Sequence, residues 1–193
     1  MRFGFIMLVI ALLHFSTLSV AENTAQLEEK AKHLASQLGM QLKARLITAI
    51  EADGPSNAIT TCSVAAPEIA EELSKNGWKV GRTSLKLRNP DNSPDKWEGA
   101  MLLAFEQQLA AGTLASNLQG STIESSDGVT RYRFMKAIPI DGVCLACHGE
   151  TIAKDVQSIL AEKYPLDAAT GYKPGELRGA FTISKILDDD SLD

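Results

Sequence analysis

The sequence predicts an α+β domain in which helices flank an antiparallel sheet of about four or five strands. The first observation is residues 23–53, where apolar side chains recur every three or four positions, as along one face of a long helix. The second is the alternating stretch 129–135, which follows the hairpin-turn pair Asp127 and Gly128. The third is the lack of sequence repeats and of a long low-complexity linker, which indicates one domain with one core.

The chain begins with a stretch typical of a secretory signal peptide. Residues 3–20 are nearly all apolar, Arg2 is the only charge before them, and the small residues Ser19 and Ala21 suit a cleavage site. An uncleaved membrane anchor is the alternative, because the apolar run approaches the ~18 residues that span a bilayer. Polar residues interrupt the end of the run, however, and no basic cluster follows it. We therefore predict a signal peptide over residues 1–21, a periplasmic location, and a single mature domain over residues 22–193.

The long N-terminal helix has recognisable ends. Asn23 with Gln26 resembles a capping box, and Gly54 followed by Pro55 is expected to stop the helix. His33 lies off the apolar stripe and is expected to be exposed. The stripe itself, which is predicted to be buried, consists of Leu27, Ala31, Leu34, Leu38, Leu42, Ala49 and Ile50.

Helices and strands follow in alternation. A second helix is predicted after Ser56 and contains Cys62, and Pro67 suits the first turn of a third helix, which Asn76 and Gly77 end. The later elements are predicted as a strand over 78–87, a helix over 94–111, a strand over 129–138, a helix over 151–164 and a strand over 178–185. The buried face of the helix over 94–111 is predicted to consist of Trp97, Met101, Leu102, Phe105 and Leu109.

The charge of the chain excludes some classes of partner. The formal net charge is −5, and removal of Arg2 with the signal peptide changes it to −6. No basic cluster remains, so nucleic acid and anionic membrane surfaces are not expected partners.

The motif Cys144-Leu145-Ala146-Cys147-His148 carries the chemistry of the sequence. Two thiols at this spacing reach both vinyl groups of a haem, and the histidine that follows meets the iron from one side. C-x-x-C-H is therefore the pattern of c-type haem attachment, and such haem is attached in exported proteins. We predict one covalent haem c, held by Cys144 and Cys147, with His148 as an axial ligand.

Three alternatives apply to the same residues. A thioredoxin-like dithiol would also follow a strand and open a helix. A zinc site could use Cys62 together with Cys144, Cys147 and His148, but adjacent residues rarely both face one tetrahedral ion. A structural disulfide across two residues is strained. The odd number of cysteines, three, favours haem attachment, because that chemistry leaves Cys62 available as a ligand.

Three stretches of the chain resemble a known family. They are residues 58–62 with Ala66 and Pro67, residues 81–90 continuing through Asn92, Pro94, Asp95, Trp97 and Glu98, and residues 144–149. They resemble the single-haem c-type proteins with a PAS-like fold, a domain family of unknown function represented by a cyanobacterial cytochrome-c-like protein. The similarity runs from about Leu27 to Ser184, and its middle stretch is long and specific.

The resemblance implies a PAS-like sheet that holds haem against flanking helices, and an axial pair of His148 and Cys62. The residues themselves offer other sixth ligands, namely His33, Met40, Met101 and Met135. Core packing explains Met101 and Met135, whereas Met40 is expected near the buried side of its helix. For Cys62 the alternative is a small buried thiol that binds nothing.

Basic residues surround the end of the first predicted strand. Arg82, Lys86 and Arg88 precede a rigid Asn-Pro turn, and arginine in particular matches carboxylates. One or more of them could pair with haem propionates. Surface charge with ordinary turn chemistry is the alternative.

The function predicted from these residues is an exported mono-haem c-type redox module, for electron transfer or redox sensing, and not an enzyme. Its expected partners are small redox proteins or a separate signalling protein, with no stable membrane insertion after signal cleavage. A haem-based gas sensor is the alternative, which requires the Cys62 bond to break. A peroxidase-like enzyme is a further alternative, for which the sequence offers no recognisable distal acid–base set.

Overall fold

The structure is a computed structural model that describes the backbone of residues 6–187 and the side chains of residues 24–187. The predicted signal peptide, residues 1–21, lies outside the described side chains, and residues 1–5 lie outside the description altogether. In the part of the chain that is described, no helix combines the length and the apolar character needed to cross a membrane.

Four antiparallel strands form one open sheet, which confirms the predicted α+β class. They are β1 (Trp78–Thr83), β2 (Gln119–Ser126), β3 (Val129–Pro139) and β4 (Leu177–Leu187), and their order across the sheet is β1-β4-β3-β2. The predicted hairpin joins β2 to β3. Its turn residues Asp127 and Gly128 have φ of 54° and 77°, as a type I′ turn requires.

A long helix, α1 (Ile6–Leu73), bends at Gly54. Gly54 has φ 79° and ψ 173°, a conformation that is essentially restricted to glycine. The predicted end of the first helix is therefore a sharp break, and Pro55 opens a second arm. The prediction that Pro67 begins a third helix is wrong, because the second arm continues through Pro67 to Leu73. Buried Ala65 and Ile69 lie on either side of Pro67, so their packing outweighs the backbone hydrogen bond that the proline cannot make.

The remaining helices are α2 (Lys96–Ala110), α3 (Leu145–His148) and α4 (Lys154–Lys163). A reciprocal capping box of Asp95 and Glu98 begins α2. The strand β1 ends at Thr83, earlier than predicted, because Ser84 turns the chain and places its hydroxyl 2.8 Å from the Arg178 carbonyl oxygen.

The sheet lies between α1 and α2. Side chains of β3 alternate between the two faces, so Tyr132 and Phe134 pack against α1 while Met135 and Ala137 pack against α2. The predicted α2 face is confirmed: Leu102 and Phe105 are buried, with Trp97, Met101 and Leu109 packed beside them. A third cluster of Ile59, Val156 and Leu160 holds α4 against the second arm of α1.

The Gly54 bend can be tested by substitution. Gly54→Ala is expected to lower the free energy of unfolding by about 1–3 kcal/mol, because alanine does not adopt this conformation without strain. Equilibrium urea unfolding measures the change. Gly99→Ala is the matched control, because Gly99 lies inside α2 and a Cβ there meets nothing within 4 Å. Gly99→Ala should raise the free energy of unfolding by about 0.5–1 kcal/mol. Equal changes in Gly54→Ala and Gly99→Ala would contradict the claim that Gly54 is needed for the conformation at the bend.

Candidate functional site

A cavity of about 430 Å³ lies between the two arms of α1, the ends of β1, β3 and β4, and the cysteine motif. Its walls are mostly apolar, with Leu42, Leu46 and Ile50 from the first arm and Ala58, Ile59 and Ala66 from the second. The bend at Gly54 therefore brings both arms to one space. The polar and sulfur-bearing side chains that line it are Lys43, Cys62, Arg82, Thr83, Arg88, Asn89, Asn92, Asp141, Cys144, Cys147, His148, Tyr164 and Arg178.

The motif enters the cavity on a short helical turn. The Asp141 carboxylate accepts a 2.8 Å hydrogen bond from the Gly142 backbone N–H and begins a 3₁₀ turn, Gly142–Cys144, that continues into α3. Positions i, i+3 and i+4 of a helix share one face, so Cys144, Cys147 and His148 lie together. Asp141 also forms a 2.8 Å ion pair with Lys43, which ties the motif to α1.

His148 is held in one orientation by its neighbours. Its Nδ1 lies 2.6 Å from the Ala169 carbonyl oxygen, which can only accept, so Nδ1 carries the proton. Burial, together with the nearby charges of Arg88 and Arg178, lowers the pKa of His148 to about 3. The imidazole is therefore neutral, with the lone pair on Nε2, and Nε2 lies 3.4 Å from the Arg88 Nη1. A neutral histidine oriented by a carbonyl is the form in which histidine binds metals.

The three cysteines are free and partly buried. Cys62 lies on the second arm of α1, and burial raises the pKa of its thiol while Arg82 and Arg45 oppose that effect. Burial also raises the pKa of the Cys147 thiol, although Arg88 lowers it. Cys147 therefore lacks the depressed pKa that the reactive thiol of a thioredoxin-like dithiol needs. Among residues with described side chains, no group of three or more histidine, cysteine, aspartate or glutamate residues is arranged to hold a metal ion.

Two arginines in the cavity lack a carboxylate partner. Within the described part of the chain, Arg82 forms neither an ion pair nor a hydrogen bond through its guanidinium, and Arg178 donates to neutral oxygens, among them those of Ser84 (2.8 Å) and Lys86 (3.1 Å). Burial lowers the pKa of Arg82, and the nearby Arg178 lowers it further. Buried cations are costly unless an anion balances them. The cavity is therefore suited to an anionic group beside Arg82 and Arg178.

The three basic residues singled out in the sequence have different positions. Arg82 lines the cavity without a charged partner, and Arg88 lines it while paired with Asp167 at 2.9 Å. Lys86 is not among the cavity residues, because its Nζ donates to the Thr170 carbonyl and lies over the ring of Tyr172. Arg178 was missed, because nothing in the sequence distinguishes it from a surface arginine at the start of a strand.

Of the five candidate sixth ligands, only Cys62 lines the cavity. His33 is exposed, as predicted. Met135 is fully buried between the sheet and α2, and Met101 packs against Gly120. Met40, which was expected near the buried side of its helix, is 62 % exposed instead. It lies one position beyond the face that packs against the sheet.

Comparison with known proteins agrees with this architecture. A family model described as "Tll0287-like: Tll0287" matches residues 18–185. The chain belongs to the Tll0287-like family. The crystal structure of the cyanobacterial heme-protein Tll0287 superposes with a TM-score of 0.58 at 23 % identity, over 86 % of this chain and 96 % of that one. At this identity the likeness shows the fold, and the resemblance inferred from the sequence is confirmed. A search of curated proteins finds no match.

The unpaired guanidinium of Arg82 generates a prediction for this member of the Tll0287-like family. Without a bound anion, Arg82→Met is expected to raise the free energy of unfolding by about 1 kcal/mol, because a poorly satisfied cation is replaced by an apolar chain of similar length. Urea unfolding measures the change. Arg45→Met removes an exposed arginine of α1 and should change stability by less than about 0.5 kcal/mol. A clear loss of stability in Arg82→Met would show that the guanidinium has a stabilising partner.

Proposed function

We propose that this protein binds one haem c in the cavity. The observation that carries the proposal is the convergence of Cys62, Cys144, Cys147 and a neutral His148 on one mostly apolar space of about 430 Å³. That volume lies within the range of about 300–1,000 Å³ typical of cofactor and ligand sites. The heme-protein Tll0287, which has the same fold, is consistent with this assignment.

Each residue has a distinct role in this proposal. Cys144 and Cys147 would form the thioether bonds, and His148 would ligate through Nε2, the nitrogen that its Nδ1 hydrogen bond leaves unprotonated. Cys62 would be the sixth ligand, because among the residues with described side chains it is the one cysteine, methionine or histidine outside the motif that lines the cavity. Arg82 and Arg178 would balance the propionates.

The same residues support a redox role. Bound haem supplies a single-electron ferric–ferrous couple. With His148 and Cys62 both engaged, the chain offers no ligand position to a substrate, so we propose a redox module for electron transfer or sensing and not an enzyme. The apolar residues of α1 exclude water from the site, and a thiolate ligand favours the ferric state and a low potential.

We further propose that the protein acts in the periplasm after signal-peptide cleavage. Its partners would be small redox proteins or a separate signalling protein. The acidic net charge, −6 once Arg2 is removed with the signal peptide, supports contacts that are transient and sensitive to salt. A haem-based gas sensor remains the second candidate function, and binding of carbon monoxide distinguishes it from a carrier with two permanent ligands.

Covalent attachment is the first test of this function. The purified protein is expected to keep one haem through denaturation and acid–acetone extraction, and its pyridine haemochrome spectrum should be that of a c-type haem. Cys144→Ser combined with Cys147→Ser should leave no covalent pigment, because both thioether bonds are lost. Ser93→Ala, a change in a turn outside the cavity, serves as the control and should retain full pigment. Free extraction of haem from the wild type would refute covalent attachment.

The sixth ligand is the second test. The ferric wild type is expected to be six-coordinate and low-spin, with thiolate–imidazole character in its absorption and electron paramagnetic resonance (EPR) spectra. Cys62→Ser should shift the iron toward high spin, raise the potential and let the reduced protein bind carbon monoxide. Met40→Leu, Met101→Leu and Met135→Leu are the controls and should leave the spectrum unchanged. An unchanged spectrum in Cys62→Ser, with a changed one in a methionine variant, would overturn the assignment. Carbon monoxide binding to the reduced wild type would favour the sensor.

A further inference from the structure

The loop that follows α4 folds back over the cysteine motif and contains a carboxylate with two separate partners. Asp167 is nearly buried, with 9 % of its side chain exposed. Its partner Arg88 is nearly buried too, with 13 % exposed. One carboxylate oxygen, Oδ1, accepts a 2.8 Å hydrogen bond from the Ala169 backbone N–H. The other, Oδ2, lies 2.9 Å from Arg88 Nη2 and 3.1 Å from Arg88 Nε. The two carboxylate oxygens therefore bind different partners, the Ala169 N–H and the Arg88 guanidinium.

Both targets of Asp167 contact the motif. Ala169 is fully buried, and its carbonyl oxygen accepts the hydrogen bond from His148 Nδ1. Arg88 donates to the Cys147 carbonyl through Nη2, and its Nη1 lies 3.4 Å from His148 Nε2. The contacts close a ring from Asp167 through Ala169, His148, Cys147 and Arg88 back to Asp167. The Tyr172 backbone N–H also holds the loop against the motif, because it donates a 3.0 Å hydrogen bond to the His148 carbonyl oxygen.

We propose that Asp167 is a positioning residue for His148, which rests on the proposed role of His148 as a haem ligand. Its Oδ1 holds the Ala169 backbone through the N–H, and the carbonyl of the same residue selects the imidazole tautomer with the proton on Nδ1 and sets the orientation of the ring. Its Oδ2 neutralises Arg88. Asp167 therefore controls both the geometry and the electrostatic field at the imidazole without touching it.

Loss of the Asp167 carboxylate would have two separate effects, one on the charge beside His148 and one on the Ala169 backbone. Without the negative charge, Arg88 becomes an uncompensated cation beside His148, and a more positive surrounding favours the reduced state of a bound metal. Without the Oδ1 hydrogen bond, the Ala169 N–H loses its acceptor. The backbone that presents the Ala169 carbonyl to Nδ1 then loses this anchor, although the carbonyl keeps its 3.4 Å contact with Arg88 Nη2. An asparagine keeps an oxygen acceptor for the Ala169 N–H but carries no charge, whereas an alanine removes both.

The test compares Asp167→Asn and Asp167→Ala in the full-length haem-loaded protein. The midpoint potential reports the charge, and the ferric EPR g values together with the NMR signal of the His148 Nδ1–H report the ring orientation. Glu150→Gln is the matched control, because it removes one negative charge two residues after His148 from an exposed side chain that lies 3.8 Å from Lys173.

Asp167→Asn is expected to raise the midpoint potential while it retains the wild-type g values and a protected Nδ1–H signal. Asp167→Ala should raise the potential as well, and should also change the g values and accelerate solvent exchange of the Nδ1 proton. Glu150→Gln should reproduce the wild type in all three measurements. If Asp167→Ala does not accumulate as folded protein, the potential of Asp167→Asn alone decides whether the carboxylate controls the field.

Two outcomes would overturn the proposal and can be told apart. If the wild type carries haem and both Asp167 variants behave like Glu150→Gln, or lose stability with unchanged potential and g values, Asp167 has only a structural role. If the wild type carries no covalent haem, the proposed function fails, and the positioning role fails with it.

Discussion

The bend at Gly54 is the constraint on which the rest of the site depends. A straight α1 would place Leu42 and Cys62 far apart along one axis, since each residue of a helix advances the chain by about 1.5 Å. The glycine conformation breaks the axis, so that both arms line one space with the cysteine motif as another wall. The cavity therefore arises from a single backbone position that only glycine adopts without strain, and the remaining elements hold the two arms in place.

The sheet and α4 supply that support. Tyr132, Phe134 and Ile183 pack against the first arm, while α4 packs against the second through Ile59, Val156 and Leu160. Ala65 and Ile69 of the second arm also belong to the core at the sheet, so the sheet holds both arms and α4 adds a second support to one of them. The motif is anchored independently, by the Lys43–Asp141 ion pair on one side and by the backbone of Tyr172 on the other. Exposed ion pairs contribute little to stability, so the Lys43 contact orients the motif more than it stabilises the fold.

Charge is distributed unevenly around the cavity. Arg88 is balanced by Asp167, whereas Arg82 and Arg178 face the space without a carboxylate. Arg82 and Arg178 are partly buried, and a cation withdrawn from water without a counterion is a feature of a site that receives an anion, because it costs stability until that anion arrives. Arg88, which is paired with Asp167, lies next to His148, whereas Arg82 lies on β1 and Arg178 on β4.

The sequence by itself determined the features that depend on neighbouring residues. These are the C-x-x-C-H motif, the Asp127–Gly128 hairpin, the break at Gly54 and the apolar face of α2, and each follows from the chemistry of a few consecutive positions. Only the tertiary structure decided which distant residues meet. It placed Arg178 and Asp167 at the site, moved Lys86 away from it, exposed Met40 and carried α1 through Pro67. These outcomes depend on contacts between residues up to about a hundred positions apart, such as Ser84 with Arg178 and Arg88 with Asp167. Such contacts leave no periodic pattern in one sequence, because the side chains that form them are common at the surface as well as in sites.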